Sequence, residues 1–472
     1  MKKVLLINPP LYFSDGIPYS IDTAVPPLGL LCLASYINEY SDYINIEVLD
    51  IAPYKISVNE LKAKLHQHEY MAFGITSMTP QLQGAVETAK VIRQEVGNDI
   101  PIFLGGSHIS SSPNFLTYYE NIFDYGITGE AEKTFLESLH SIMNGKSIPK
   151  IQQSEIIANF DSVPFDYRGL LDRSKYQASE TVLYSRGCPF KCYYCSRPAI
   201  DKKIRYRSLD NIIQQLTDCY EQSKGYIDFQ DDTFTINRKK VIEFCQGIKE
   251  TGLKFHWMCN TRIDLVDEEL LSCMSDSGCY QINFGVESGN ERIRKEIIKK
   301  GQFTNEQVYQ VFGWCRKHKI EVGAYFMLGH PTETKAELED TKKMVLNAKI
   351  DILGLSISTP FPGSQLYDIA KNENIINEQM IIDFAEKRLG EGYAGIYPVY
   401  VPKGMTHDYL LEQIAFLNRK FYLNVGTFWK RLKKDLTSFK QLKSDAKDFF
   451  ALVMKGTSSR KPYVKKKSIK DS

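Results

Sequence analysis

The first part of the chain alternates short apolar runs with longer stretches of helical periodicity. Apolar residues on both faces of a short run are typical of strands in a parallel sheet that helices cover on both sides. We therefore predict an α/β fold with a doubly wound parallel sheet over residues 1–150. Its strands are expected at Val4–Ile7, Ile46–Leu49, Met71–Ile75, Ile102–Leu104 and Asp124–Ile127, and its helices include Leu28–Asn38, Gln81–Val96 and Glu132–Met143.

A second series of βα units follows a weakly patterned segment. Residues 151–178 show little periodicity and contain Pro164 and Gly169, which favours a linker on the surface. Six β-rich runs then predict a partial (β/α)6 barrel over residues 179–375, followed by a C-terminal helical cap with a basic tail over residues 376–472. The barrel strands are expected at Thr181–Tyr184, Tyr226–Phe229, Phe255–Cys259, Gln281–Gly285, Glu321–Phe326 and Ile352–Ser356.

Composition narrows the class of protein. The chain has 472 residues and a formal net charge of +2, so no general nucleic-acid groove is implied. No run approaches the ~20 apolar residues needed to span a bilayer, and the first apolar run is too short for a signal peptide. We therefore expect a cytoplasmic protein whose ten cysteines are reduced.

Positive charge is concentrated at the C-terminal end. Residues 427–472 carry fourteen Lys or Arg against four Asp. Apolar residues recur there every three or four positions, which predicts an amphipathic helix. Two interpretations stay open: a helix packed on the barrel with a solvated basic side, or a helix lying on an anionic membrane surface.

One loop carries three closely spaced cysteines, directly after the first barrel strand. Cys188, Cys192 and Cys195 can hold three irons of a cubane cluster and leave the fourth iron open for S-adenosylmethionine (SAM). A zinc site or a redox pair would use only Cys192-x2-Cys195, and zinc would need further ligands that the neighbouring sequence lacks. We therefore predict a [4Fe–4S] cluster bound by these three residues.

The cysteine loop resembles the signature of the radical SAM superfamily, both in its C-x3-C-x2-C spacing and in the aromatic Tyr194. The resemblance implies an enzyme that reductively cleaves SAM to a 5′-deoxyadenosyl radical, with reduced flavodoxin or ferredoxin as the electron donor. Polar or glycine-rich segments follow the later barrel strands in the family's order: Phe229–Phe234, Asn260–Arg262, Phe284–Gly289, Leu328–Thr334 and Pro360–Ser364.

The same resemblance implies which residues bind SAM. Its amine would lie near Gln230, Asp231 or Asp232. Its carboxylate would lie near Arg262, and its ribose near Glu287 or Ser288. The segment after the fifth strand adds Gly329 to this predicted set.

A doubly wound domain before such a barrel resembles the cobalamin-binding class of the superfamily. The similar segments are Ile7–Pro10, Pro26–Leu30, Leu104–His108 and Thr128–Glu130. That class uses cobalamin to carry a methyl group from one SAM to an unactivated carbon or phosphorus. The resemblance implies a cobalamin site at the strand ends, formed by Pro10, Ser77, Thr79, Gly105, Gly106, His108, Gly129 and Glu130.

One departure concerns the cobalt. The Asp-x-His-x-x-Gly signature of other cobalamin proteins is missing, and Asn8–Phe13 stands in its place. Cobalamin would then be bound without a histidine below the cobalt, or not bound at all. His108 is the one histidine at a strand end of this domain, and a turn histidine bonded to the backbone is an equally good interpretation.

Several functions stay open. Cobalamin-dependent methylation of a small-molecule or lipid substrate is the first, and radical oxidative cyclisation or rearrangement without methyl transfer is the second. A cobalamin-binding sensor or carrier is the alternative outside catalysis. A methylthiotransferase is rejected because those enzymes need three cysteines before the barrel, whereas residues 1–150 contain only Cys32.

Overall fold

The strands of the first sheet are the apolar runs near the start of the chain. The computed structural model describes residues 1–20, 25–165, 169–176, 180–197, 202–299, 303–387 and 399–423. The strands are β1 (Lys2–Asn8), β4 (Ile44–Asp50), β5 (Tyr70–Thr76), β6 (Ile102–Gly105), β7 (Tyr125–Thr128) and β8 (Ile151–Gln153), with an antiparallel hairpin of β2 (Tyr12–Ser14) and β3 (Ile17–Tyr19) beside them. The six strands of the sheet are parallel and pair in the order β4–β1–β5–β6–β7–β8.

Helices cover both faces of this sheet. They are α1 (Leu28–Tyr40), α2 (Val58–Leu65), α3 (Leu82–Val96), α4 (Ser107–Ser111) and α5 (Ala131–Met143). Val4 and Leu6 of β1 pack into one core with α1 and α5, while Leu5 and Ile7 pack into another with α2 and α3. The doubly wound sheet predicted from the two-sided apolar pattern is therefore confirmed. The prediction missed α2, which begins with a capping box between Ser57 and Glu60.

The second sheet is an open arc. Its strands are β9 (Thr181–Val182), β12 (Tyr226–Phe229), β13 (His256–Thr261), β14 (Cys279–Glu287), β15 (Glu321–Leu328) and β16 (Ile352–Ile357), and a short antiparallel pair, β10 (Ser185–Arg186) and β11 (Arg205–Tyr206), follows β9. All neighbours in the arc are parallel, in the order β16–β15–β14–β13–β12–β9. This is the partial six-strand barrel that the sequence predicts.

Helices of the barrel lie between its strands along the chain. They are α6 (Leu209–Asp218), α7 (Tyr220–Ser223), α8 (Arg238–Glu250), α9 (Glu268–Asp276), α10 (Asn305–Lys317) and α11 (Lys335–Asn347), with a π-helical turn at Ile293–Ile298. Trp257 and Phe284 on the strands pack with Phe244, Phe312 and Leu338 on the helices in one large core. Cys245, Cys259, Cys279 and Cys315 belong to this core.

The segment expected to be a surface linker is more integrated than predicted. Its start forms β8, which adds a strand to the first sheet. Phe160, Val163 and Tyr176 are then buried against Leu31 and Cys32 of α1. These apolar residues are irregularly spaced, so they produce no periodic signal and sequence reasoning placed them on the surface.

The described part of the C-terminal region packs against both sheets. Its helices are α12 (Gln365–Asn372), α13 (Glu378–Ala385) and α14 (His407–Tyr422). Lys387 donates to Glu87 and to the carbonyl of Phe13, which ties the end of α13 to the first domain. Leu410 and Leu417 of α14 enter the barrel core. The predicted basic helix over residues 427–472 lies outside the described residues, and within the described ones no helix is long and apolar enough to cross a membrane.

Candidate active site

The three cysteines of the loop after β10 line one cavity at the carboxyl end of the barrel strands. Its volume is about 210 Å³. A backbone hydrogen bond from Cys195 N to Cys192 O, 3.0 Å long, closes the turn that carries the last two thiols. The loop begins at Gly187, whose φ of +95° is a conformation that other residues rarely adopt. The three thiols thus share one concave surface.

Each of the three sulfurs lies beside a polar group of the protein. Cys195 Sγ accepts a hydrogen bond from the backbone N–H of Arg197 at 3.4 Å. Cys192 Sγ lies 3.9 Å from a guanidinium nitrogen of Arg262, and Cys188 Sγ lies 3.9 Å from Thr233 Oγ1. Hydrogen bonds to sulfur stabilise a thiolate and tune the potential of a cluster bound to it.

Two tyrosines between the second and third cysteines anchor the loop to the barrel. Tyr193 is buried, and its hydroxyl lies 2.7 Å from His330 Nδ1 and 3.3 Å from Ser358 Oγ. Burial lowers the pKa of His330 to about 4, so this histidine is neutral at physiological pH. The hydroxyl of Tyr194 donates to Glu287 Oε1 at 2.7 Å. The loop is therefore held against the ends of β14, β15 and β16.

Adjacent acidic residues after β12 face different surroundings. Asp231 is 1% exposed and accepts hydrogen bonds from the backbone N–H groups of Tyr184 (3.0 Å) and Ser185 (2.6 Å). Burial raises the pKa of Asp231 to about 7. Asp232 instead lines the cysteine cavity and accepts a 2.7 Å hydrogen bond from Arg197 Nε. Asp231 thus shapes the strand that leads into the loop, while Asp232 faces the cavity.

A larger cavity of about 520 Å³ lies between the first sheet and the barrel. Apolar side chains such as Leu6, Phe103 and Phe135 line the part that reaches between the sheet and helices α1 and α5. Glycines line the part at the strand ends. At one of them, Gly106, φ is +96° and an added Cβ would lie 2.7 Å from the backbone nitrogen of Ser77.

Buried ion pairs join the wall of this cavity to the barrel. Arg186, two residues before the first cysteine of the loop, donates to Glu132 Oε1 at 2.6 Å. Arg205 donates to both carboxylate oxygens of Glu130, at 2.8 and 2.7 Å. All four side chains are at most 12% exposed. These contacts fix the cysteine loop relative to the first domain, and sequence reasoning assigned no role to either arginine.

Comparison with known families identifies both halves. The family described as the radical SAM superfamily matches residues 182–345, and the B12 binding domain matches residues 19–139. The chain therefore carries a radical SAM domain and a B12-binding domain. An uncharacterized methyltransferase of Pyrococcus horikoshii is 29% identical over 92% of this chain and 94% of its own length. The anaerobic magnesium-protoporphyrin IX monomethyl ester cyclase of Rubrivivax gelatinosus is 25% identical over 95% of this chain and 82% of its own.

Solved structures share the fold. The radical SAM methyltransferase TsrM of Kitasatospora setae, with cobalamin and a [4Fe–4S] cluster bound, matches with a TM-score of 0.63 and 18% identity over 80% of this chain and 76% of that chain. The cobalamin-dependent radical enzyme OxsB, in its apo form, matches with a TM-score of 0.68 and 17% identity over 96% of this chain and 72% of that chain. Both likenesses concern the fold, in which a doubly wound domain precedes the barrel.

The radical SAM domain implies a [4Fe–4S] cluster and SAM, and the cysteine cavity has the donors for both. Three thiols face one space, which suits a cubane that keeps an open iron. Of the predicted SAM contacts, Asp232, Arg262 and Glu287 line this cavity. The Arg262 guanidinium stacks on the ring of Phe190 at 3.8 Å and pairs with Asp264. The cavity therefore offers two carboxylates and one guanidinium around the cluster position.

Four other predicted SAM contacts are directed elsewhere. Asp231 is enclosed by Tyr184 and Ser185 and does not line the cysteine cavity. Gln230 donates to Asp228 and lines the larger cavity. The hydroxyl of Ser288 is buried against Thr341 at 3.1 Å, and the N–H of Gly329 donates to Glu333. Gln230, Asp231 and Ser288 come from the same strand ends as Asp232 and Glu287, so sequence position alone could not separate them.

The B12-binding domain implies cobalamin, and the larger cavity fits it. Of the residues predicted to bind cobalamin, Gly105, Gly106, Gly129 and Glu130 line this cavity, and its apolar part could enclose the aromatic base of cobalamin. The predicted residues Pro10, Ser77, Thr79 and His108 are not among its lining residues. They instead build the loops behind it: Ser77 exchanges backbone hydrogen bonds with Gly105 and His108, and the carbonyl of Pro10 packs on Gly84.

His108 is one of the residues behind the cavity. It is 1% exposed, its Nδ1 lies 3.0 Å from Thr79 Oγ1, and its ring packs edge-on against Phe115. Burial lowers its pKa to about 3. A neutral histidine enclosed in this way supports the turn and does not reach the cavity, so its geometry agrees with cobalamin bound without a histidine below the cobalt.

Proposed function

We propose that this chain is a cobalamin-dependent radical SAM methyltransferase that adds a methyl group to an unactivated carbon or phosphorus of a small-molecule or lipid substrate. The observation that carries the proposal is the wall shared by the two cavities. Arg197 and Asp232 line both the cysteine cavity and the larger one. A substrate at this junction would be adjacent to both cofactors at once, which is what transfer of a methyl group to a radical centre requires.

Side chains of this protein would have separate tasks in that reaction. The cluster and SAM together supply a 5′-deoxyadenosyl radical, and cobalamin supplies the methyl group. Cys188, Cys192 and Cys195 would bind the cluster, and Tyr193 and Tyr194 would keep the loop in place. Asp232, Arg262 and Glu287 would orient SAM. Arg186 and Arg205 would hold the first domain in register with the cysteine loop through Glu132 and Glu130.

Partners and location extend the proposal. Reduced flavodoxin or ferredoxin is the class of electron donor that this chemistry needs. We place the enzyme in the cytoplasm, where thiols stay reduced. Peripheral membrane contact through the basic residues 427–472 would suit a lipid substrate.

The test begins with cofactor chemistry. Anaerobically reconstituted protein is expected to hold about four irons and to form 5′-deoxyadenosine from SAM and a strong reductant. After incubation with small-molecule extracts and SAM labelled with ¹³C in its methyl group, mass spectrometry should find a product that gains one labelled methyl. Purification from a cobalamin-replete host without corrin absorbance, and without uptake on reconstitution, would refute methyl transfer and leave the radical SAM assignment intact.

Oxidative cyclisation is the second candidate, favoured by the similarity to the Rubrivivax cyclase over 95% of this chain. The same mass-spectrometric experiment separates the two functions. Cyclisation removes hydrogen from the substrate and adds no labelled carbon, whereas methyl transfer adds one. Failure to cleave SAM after cluster reconstitution would instead revive the sensor or carrier interpretation.

A further inference from the structure

The wall between the two cavities contains one ion pair. Arg197 Nε donates to Asp232 Oδ2 at 2.7 Å, and the backbone N–H of Arg197 is bonded to Cys195 Sγ. The side chain of Arg197 is 40% exposed and that of Asp232 is 26% exposed, so both reach open space. The ion pair therefore lies next to Cys195 of the cysteine loop, and it also borders the larger cavity.

The two terminal nitrogens of the Arg197 guanidinium can still form a pair of hydrogen bonds to one ligand. Asp232 occupies Nε, and within the part of the chain that the structure describes the two terminal nitrogens make no further hydrogen bond. A guanidinium presents parallel N–H groups that match the two oxygens of a carboxylate or phosphate. Asp232 fixes the plane of this guanidinium, so the donors are oriented before a ligand arrives.

The three carboxylates that line the larger cavity are each paired with an arginine. Glu130 is neutralised by Arg205, and Glu132 by Arg186. Asp232 is paired with Arg197 itself, and on its other side it faces the cysteine cavity. An acidic substrate group beside Arg197 would therefore meet no unpaired carboxylate among these three.

We propose that Arg197 is a specificity-determining residue that binds a carboxylate or phosphate of the substrate at the junction of the two cavities, with Asp232 as its positioning residue. The inference rests on the proposed function, because it assumes that the substrate lies between the two cofactors. It assigns the substrate to the class of acidic small molecules or lipids with an anionic headgroup.

The first experiment uses inorganic phosphate as the probe and needs no substrate. The full-length, cluster-reconstituted enzyme is reduced with a non-cleavable SAM analogue present, so that the cluster stays reduced, and ³¹P electron–nuclear double resonance is recorded on the cluster signal with phosphate in the buffer. We expect a phosphorus coupling in the unaltered enzyme that Arg197→Gln abolishes and Arg197→Lys retains in weaker form. Asp232→Asn should broaden it, because the guanidinium loses its orientation.

The control is Arg238→Gln. Arg238 also pairs with carboxylates, Asp267 and Glu269, but on the exposed surface of α8. Its replacement should leave the phosphorus coupling unchanged. No coupling in the unaltered enzyme, or a coupling that Arg197→Gln leaves unchanged, would overturn the proposal.

The second experiment measures the charge of the true acceptor. Products that carry the ¹³C methyl group are separated by anion exchange at neutral pH, and they should be retained. In Arg197→Gln the amount of labelled product per 5′-deoxyadenosine should fall about tenfold or more, as expected when a charged hydrogen bond to the substrate is lost. A labelled product that is neutral or cationic contradicts the inference.

The two experiments also separate this inference from the proposed function. If the phosphorus coupling depends on Arg197 but no extract yields a labelled product, the anion site stands and methyl transfer fails. If a labelled product forms but is uncharged, methyl transfer stands and the role of Arg197 fails.

Discussion

The two cofactor regions of this enzyme present their residues in opposite ways. In the barrel, side chains converge on the cavity: three thiols, Asp232, Arg262 and Glu287 all line it. In the first domain the predicted side chains mostly turn inward, as His108 does, and glycine backbone faces the larger cavity. Side-chain chemistry therefore defines the cluster end, whereas shape and backbone define the cobalamin end. Substitutions should fail for different reasons in the two regions.

The largest effect is expected at the cluster end. Cys192→Ala removes one of the three thiols, so the cubane loses a ligand and both iron content and 5′-deoxyadenosine formation should drop to background. Iron analysis and chromatographic detection of the nucleoside measure this. Cys273→Ala is the matched control, because Cys273 is a partly exposed thiol on α9 that does not line the cysteine cavity. Normal SAM cleavage by the Cys192 variant would contradict the central assignment.

The contact between the two regions should show the next largest effect. Arg186→Met leaves Glu132 as a buried charge without this partner, which typically costs about 3–5 kcal/mol. Adding Glu132→Gln to that variant should restore at least half of the loss, because the orphaned charge is removed. The measurement is the free energy of unfolding from urea titration under anaerobic conditions.

An exposed ion pair provides the control for the Arg186 and Glu132 variants. Arg238→Met breaks the pair on the surface of α8 and should cost less than about 1 kcal/mol. Equal losses in the two single variants would mean that the buried network contributes no more than a surface ion pair, and that another contact holds the domains in register.

The sequence predicts those parts of the fold and the site that leave a local pattern, and it does not predict contacts between distant residues. Strands with apolar residues on both faces, such as β1, and a cluster motif within eight consecutive residues leave local signals, and both were predicted. Pairings that arise only in the fold were not. Arg197 and Asp232 are 35 residues apart, and Arg186 and Glu132 are 54 apart. Asp231 and Asp232 are chemically identical neighbours, and only the path of the backbone decides which one faces the cavity.

A smaller effect is expected at the glycines of the first domain. Gly106→Ala places a Cβ at 2.7 Å from backbone atoms of Ser77 while φ is +96°, so it should cost about 1–3 kcal/mol of unfolding free energy. Gly105→Ala meets no atom within 4 Å and should change stability by less than about 0.5 kcal/mol. If backbone shape defines the cobalamin site, the Gly105 variant should still load less cobalamin, because its new methyl group projects into the cavity.

The smallest effect concerns His108 and separates a structural histidine from a cobalt ligand. Its folded pKa of about 3 lies below the ordinary value of 6.5, so the folded state disfavours the protonated form. The corresponding stability is fully present above the unfolded pKa and is lost as pH falls through the range between these two values. Between pH 7.0 and 5.5 the loss should be about 1 kcal/mol. His108→Gln keeps a hydrogen-bonding group for Thr79 but does not titrate, so its unfolding free energy should fall less over that pH range. Its cobalamin absorbance should match that of the unaltered enzyme. A changed corrin spectrum in this variant would instead place His108 on the cobalt and reverse the contrast between the two regions.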